Sequence, residues 1–218
     1  NVAVGSKFKR PQLTGPALGL ASLAASLHPL WAGPQVFALN HALGYFPGPL
    51  YDEALPVEGR LVVYRLLTLA WTGVGLLALA GRVGESGLRP RARLAWTGWA
   101  TLVALLAALG LGRAYEFELG LGTTPEALAE ELGGRSRTAH FDLVFPAEKP
   151  AAEVRRLERA LEFEHAQVSR FLGGAPEGRV TAWFHRSPEE KRRRVGAAQT
   201  SFAKPWRLEF HVHDEPFP

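Results

Sequence analysis

Leu61 to Ala80 reads LVVYRLLTLAWTGVGLLALA, an unbroken apolar run with a single charge, and few folds accommodate such a segment. At about 1.5 Å rise per residue, twenty helical residues match the ~30 Å hydrocarbon core of a bilayer. The charge, Arg65, lies near one end, where its aliphatic stem can carry the guanidinium to the headgroups. At the centre of a span the same Arg would cost about 2.5–3.5 kcal/mol on insertion scales. Leu94 to Gly112 (LAWTGWATLVALLAALGLG) carries no charge at all, with Trp96 and Trp99 at one end and Tyr115 just past the other. Interfacial aromatic residues anchor spans in this way. Neither segment shows the polar face of a surface helix in a soluble protein. A third candidate, Leu13 to Trp31, is also uncharged but contains Pro16, Ser22, Ser26, His28 and Pro29, and Pro29 is expected to break or kink its last turn.

Charge is distributed to match. Residues 1–112 hold nine Lys/Arg and four Asp/Glu, and the chain totals of 25 and 21 leave sixteen and seventeen for residues 113–218. The basic excess of the whole chain therefore sits in its apolar half, which excludes reading it as a nucleic-acid surface on a folded soluble domain. It reads instead as topology. The connection 81–93 carries Arg82, Arg89, Arg91 and Arg93 against Glu85, and short Arg-rich loops stay in the cytoplasm. The stretch 32–59 carries Asp52, Glu53 and Glu58 and no Lys or Arg, whereas Lys7, Lys9 and Arg10 precede the first candidate span. The expected arrangement is an integral protein of the cytoplasmic membrane, with two or three helices in the lipid bilayer, residues 32–59 outside, the Arg loop inside, and everything after Arg113 outside the cytoplasm.

With no Cys there is no disulfide, thiolate zinc site or cysteine nucleophile. The chain starts at Asn1 with no Met anywhere and stops at Pro216-Phe217-Pro218, directly after a strand-like run, so we expect a fragment of a longer reading frame.

Residues 113–218 read as a small α+β domain of modest core. Thr124 caps a helix with Pro125 at its first position and Glu126 in its first turn, and Gly133-Gly134 ends it. Thr138–Phe145 alternates, with Phe141, Leu143 and Phe145 on one face and His140, Asp142 and Val144 on the other. Pro150–Leu172 is a long helix stopped by Gly173-Gly174, its apolar stripe running Val154, Leu157, Leu161, Val168, Phe171. Arg179–His185 is a second strand, Ser187 caps a short helix through Arg194, residues 199–206 form a loop, and Arg207–His213 is a third strand.

Candidate chemistry is sparse. His211 and His213 fall on one face of the last strand, ahead of Asp214-Glu215, and could share a metal; a plain polar face is the commoner meaning of H-x-H. Glu164-His165 lacks the i, i+4 spacing of a helical zinc pair and reads as a buried hydrogen-bonded pair. Lys191–Arg194, preceded by Glu189 and Glu190, reads as one solvated helix face. His41, Tyr51, Asp52 and Glu53 could cluster near the membrane, although the Pro- and Gly-rich loop around them reads first as a structured loop against the headgroups. There is no Gly-rich phosphate loop, no G-x-S-x-G and no H-E-x-x-H, so no catalytic or metal-binding residue is assigned.

The strings HFDLVFPAEKPAAEVRRLERALEFEHAQVSRFLGG, GRVTAWFHRSPEEKRRRVGA and AKPWRLEFHVHDEPFP resemble the leading subdomain of peptidase-MA-like zinc metallopeptidases, the gluzincins. The resemblance covers residues 138–218, and GYFPGPLYDE is similar to an outer loop in members that carry membrane spans. It implies a zincin N-subdomain fold and, shortly beyond Pro218, a helix bearing H-E-x-x-H. Two His of that motif would bind zinc and its Glu would activate water. Zinc is therefore expected only in the full-length protein, and this chain is expected to be inactive. The resemblance further implies that Leu208, Glu209, Phe210, His211 and Val212 form a sheet-edge strand able to accept an extended peptide or protein substrate. The alternative reading is a non-catalytic, membrane-tethered binding or sensing module.

Overall fold

A computed structural model describes residues 11–47, 59–84, 87–88 and 94–213, as a mixture of helix and sheet. The chain divides into two compact units: residues 1–31, 38–46 and 56–122 form one, and 32–37, 47–55 and 123–218 form the other.

The first unit is helical. Helix α1 spans Pro11–Ala32, α2 Gly59–Ala80 and α3 Trp96–Ala114. Two of these, α2 and α3, are long and apolar enough to cross a membrane, and only 6% of the most apolar window of each is buried. A core helix of a soluble protein has its apolar residues covered, so this exposure is what distinguishes the pair. Helix α1 is not among them. Pro29, expected to break or kink the last turn, does not break it: the missing N–H removes the bond to Ala25, yet the helix continues to Ala32.

Helices α2 and α3 pack together, and small residues set their separation. A β-carbon at Gly112 would lie 2.7 Å from Leu67 Cδ2, and one at Gly73 would lie 2.9 Å from Leu105 Cδ1. Between α1 and α2 in sequence, strands β1 (Phe37–Asn40) and β2 (Gly44–Pro47) form a hairpin. Its turn is built by Asn40, whose Oδ1 accepts from the N–H groups of Ala42 (2.8 Å) and Leu43 (2.9 Å) and whose Nδ2 donates to Ser26 Oγ (2.8 Å). The Tyr64 hydroxyl donates to Leu39 O (3.1 Å) and Arg65 Nη1 to His41 O (3.2 Å), while His41 stacks on Tyr64 at 4.6 Å. The expected loop against the headgroups is thus, over residues 37–47, a hairpin held by polar side chains of α1 and α2. Burial, then Arg65, brings the His41 imidazole below its ordinary pKa. Tyr51, Asp52 and Glu53 lie outside the described residues, as do Lys7, Lys9, Arg10, Glu85, Arg89, Arg91 and Arg93. Arg82 precedes a two-residue-per-strand hairpin, β3 (Val83–Gly84) with β4 (Gly87–Leu88).

The second unit is a five-stranded mixed sheet. In chain order its elements are α4 (Pro125–Leu132), β5 (Gly133–Arg137), β6 (Phe141–Pro146), α5 (Ala151–Leu172), β7 (Val180–His185), α6 (Pro188–Val195), β8 (Phe202–Lys204) and β9 (Glu209–His213). The sheet order is β5-β6-β7-β9-β8, parallel in the middle and antiparallel at each edge. The expected caps are present: Thr124 accepts from Ala127 N, Ser187 from Glu190 N, and Gly133 and Gly173 close their helices at φ of 80° and 72°; Gly196, at φ 97°, closes the short helix in the same way. Two strands were not expected. Gly133-Gly134 does not lead into a loop but opens β5, which pairs antiparallel with β6, and β8 emerges from the presumed loop 199–206. A single 3₁₀ turn, Pro205–Arg207, and Leu208 at φ 50° then reverse the chain into β9. Consequently β9 lies between β7 and β8. The strand expected at the sheet edge, Leu208–Val212, is flanked on both sides over Glu209–His211, and the outer strands are β5 and β8.

One sheet face packs on α5: Phe141, Leu143, Phe145, Ala182 and Phe184 against Val154 and Leu157, with Leu161, Phe210 and Val212 at the margin. At 22 residues α5 is about 33 Å long, whereas a six-residue strand reaches only about 20 Å. The expected stripe therefore outruns the sheet, and Val168 and Phe171 stand 50% and 89% exposed.

We expect Gly112→Val to destabilise the α2–α3 pair by roughly 1–3 kcal/mol, because both Leu67 methyl carbons lie within 2.8 Å of where its β-carbon would be and the side chain must leave its place. Gly75→Val, with nothing within 4 Å of its would-be β-carbon, serves as the control and should shift stability by no more than about 0.5 kcal/mol. Thermal unfolding of both variants in detergent, followed by helix signal, distinguishes them.

Candidate functional site

Strand alternation places a second, polar set of side chains on the other sheet face. Register aligns them in two rows across the strands. Arg135, Val144, Trp183, His211 and Phe202 form one, and Arg137, Asp142, Thr181, Glu209 and Lys204 the other. Leu128, Ala129, Leu132 and Val195 of α4 and α6 pack on the first row at Val144 and Trp183.

His211 is fully buried within this face. Its imidazole lies parallel to Trp183 (centroids 5.7 Å apart, 1° between planes) and to Phe202 (4.6 Å, 15°). His185, also fully buried, places Nε2 3.1 Å from His211 Nδ1. One of the two nitrogens must donate, and Glu209 decides which. Glu209 Oε1 lies 3.8 Å from His211 Nε2, too far for a hydrogen bond but close enough to favour a proton there. His211 Nδ1 then accepts and His185 Nε2 donates, which leaves His185 Nδ1 as a buried acceptor with no hydrogen-bond partner. Burial, reinforced by His211 and Lys191, brings the His185 pKa to about 2; burial brings His211 to about 4, with Glu209 opposing. Both are neutral near pH 7. Burial pushes the Glu209 carboxyl up, yet His211 and Arg207 beside it take it below its ordinary value.

The surrounding cations are buried rather than solvated. Of the expected solvated face Lys191–Arg194, Arg193 is exposed and Arg192 half-buried, but two members are corrected: Lys191 is fully buried and donates to Thr200 O (2.7 Å), and Arg194 is buried and held by Glu131 at 2.6 Å. Helix α6 turns Lys191, Arg194 and Val195 inward because i, i+3 and i+4 share a face. Lys204 donates to the carbonyls of Gly33 (2.7 Å) and Gln35 (2.6 Å), and burial lowers its pKa to about 8. The segment 32–37 is further tied by Val36 N to Val195 O (2.7 Å), Thr123 N to Gln35 Oε1 (3.0 Å) and Arg207 to Ala32 O.

His211 and His213 do share a face, as the alternation requires, but they sit opposite different residues of β7, Trp183 and His185. Asp214 and Glu215 lie outside the described residues. Among the described residues no group of three His, Cys, Asp or Glu is arranged to hold a metal ion. Glu164 and His165 are not a buried pair: Glu164 is exposed, and His165 stacks on His140 at 4.0 Å. The carboxylate that matters there is Glu162, which accepts from His140 N (2.9 Å) and lies 2.7 Å from His140 Nδ1. Burial raises its pKa, but these bonds and one with Thr138 outweigh that and bring it to about 2. Sequence reasoning missed Trp183, His185 and Lys204. The run RVTAWFH does place the first two on one face, but only cross-strand register brings them to His211.

Compared with protein-family models, with curated proteins and with solved structures, the chain finds no match in any of the three.

A histidine whose folded-state pKa lies below its ordinary 6.5 is protonated more readily after unfolding. The stability it contributes is therefore complete above about pH 6.5 and falls as the pH drops towards 4. We expect unfolding free energy to fall across this window by up to about 1.4 kcal/mol per pH unit for each of His185 and His211. Denaturant titrations at stepped pH measure the slope, and His211→Phe, which preserves the ring stack, should flatten it. A slope unchanged in that variant would show that His211 does not titrate with folding.

Proposed function

We propose that this chain is the membrane-anchored N-terminal part of a zinc metallopeptidase, with its α+β unit outside the cytoplasm. The observation that carries the reading is continuity. The residues that resemble a peptidase-MA-like subdomain build one unbroken succession, β6-α5-β7-α6-β8-β9, within one sheet. Two exposed apolar helices precede it, as an anchor would. In this reading zinc and its ligands belong to segments outside the described residues. The peptide-accepting edge is β8, Phe202–Lys204, rather than Leu208–Val212, because β8 pairs with β9 on one side and with no other strand among the described residues. The lipid bilayer and an extended peptide are the partners, the Arg-rich connection 81–93 faces the cytoplasm, and residues after Arg113 face away from it.

Zinc content and casein hydrolysis are to be compared between the 218-residue chain and the product of the same reading frame continued past Pro218. We expect the chain to retain no stoichiometric zinc and to cleave nothing, and the longer product to carry H-E-x-x-H on its next helix and one zinc per molecule. Turnover by the chain alone, or a continued frame without that motif, would overturn the peptidase reading; the latter would favour a tethered binding module.

Orientation has its own test, made clean by the absence of Cys. A membrane-impermeant thiol reagent should label Ala139→Cys in intact cells and Ser86→Cys only after permeabilisation. The reverse pattern would invert the topology.

A further inference from the structure

The polar sheet face is only partly covered by helices. Beside α4 it opens into a groove of about 460 Å³, with Val144 and Trp183 among the residues on its sheet side and Ala129 on its helix side. That is within the size range of sites for small organic ligands. Two opposite charges line it. Arg135 comes from β5, and Glu126 from the first turn of α4. Both are exposed, no ion pair joins them, and neither has a hydrogen-bond or salt-bridge partner among the described residues.

The other charges of the groove are already committed. Asp142 receives Arg137 Nε at 2.7 Å and Arg179 Nε at 3.3 Å, so its carboxylate is neutralised from two sides. What remains open is one guanidinium, one carboxylate, the Thr181 hydroxyl and an apolar surface between them. A guanidinium takes a carboxylate through two parallel N–H donors, and an ammonium suits a carboxylate acceptor. A ligand that uses both ends and the surface between them carries its own pair of opposite charges on a short apolar body.

We propose that this groove binds a small zwitterion, an amino acid with an apolar side chain, with its carboxylate on Arg135 and its ammonium on Glu126. The side chain enters the groove between Pro125 and Ala129 of α4 and the rims of Val144 and Trp183 on the sheet, all of which line it. The site is on residues of the soluble unit alone and does not depend on the peptidase reading: it acts as a binding function in a peptidase or in a tethered sensor.

The probe is L-phenylalanine, titrated into the full chain in detergent micelles and followed by calorimetry or saturation-transfer NMR. We expect saturable binding with Kd of about 1 mM. N-acetyl-L-phenylalanine, which lacks the ammonium, and L-phenylalaninamide, which lacks the carboxylate, should each bind about tenfold more weakly. Arg135→Ala should abolish the preference for the acid over the amide and leave the preference for a free amine. Glu126→Gln should do the converse. Both side chains are exposed, so the variants should fold, which circular dichroism checks. Absence of saturable binding, equal binding of all three compounds, or preferences untouched by the two substitutions would each overturn the proposal.

Discussion

The position of β9 between two partners governs the α+β unit. An internal strand spends its backbone groups on both sides, so each of its side chains must suit neighbours on two strands and a layer above or below. On one side Phe210 and Val212 meet this by joining the apolar core under α5. On the other side Glu209 and His211 are buried and cannot be solvated, while His213 at the strand end is half-buried. The molecule answers with neutral imidazoles, flat aromatic neighbours and long cations that reach backbone carbonyls. A buried ionic group is tolerable only when its remaining hydrogen-bonding capacity is used. Lys204 meets that condition with two carbonyls of segment 32–37. His185 does not meet it fully, since its Nδ1 remains without a hydrogen-bond partner.

The helical unit follows different rules. In a pair of helices whose apolar side chains face outward, close backbone approach lets the two pack by van der Waals contact. Gly73 and Gly112 permit it by receiving Leu105 and Leu67. Polar groups supply the second fastening. Asn40 closes its own turn and also reaches the serines of α1, while Tyr64 and Arg65 bond carbonyls of the same hairpin. Arg65 thus finds an acceptor within the protein, in addition to whatever its stem could reach by extending along a span.

Local chemistry was legible in the sequence wherever a few adjacent residues determine the outcome. Thr124-Pro125, Ser187-Pro188, Gly133 and Gly173 mark helix ends because a cap or a left-handed residue acts within one turn. The alternation of Phe141–Phe145 and Glu209–His213 identified both faces of two strands. What failed was non-local. β8 is three residues long, too short for any period, and becomes a strand because Pro205–Arg207 folds back and offers it β9. Its existence displaced β9 from the edge. The burial of Lys191 was hidden for a similar reason, since its charge reads as solvated until Thr200 O is brought to it. At Val168 and Phe171 the period was right but the sheet beneath was too short to use it.

The two polar rows also bear on how this sheet finds its pairing. Its strands have three to six residues, so few hydrogen bonds separate the native alignment from one displaced by a single position. A one-residue slip of β9 would drive Glu209 and His211 into the layer of Leu143 and Phe184 and turn Phe210 towards Lys204. That layer is lined by apolar side chains, and the cost would reach several kcal/mol for the stranded Glu209 carboxylate, with a further penalty for the unpaired His211 imidazole. The costly polar stripe therefore acts as a key: it accepts one alignment of short strands and penalises the adjacent ones.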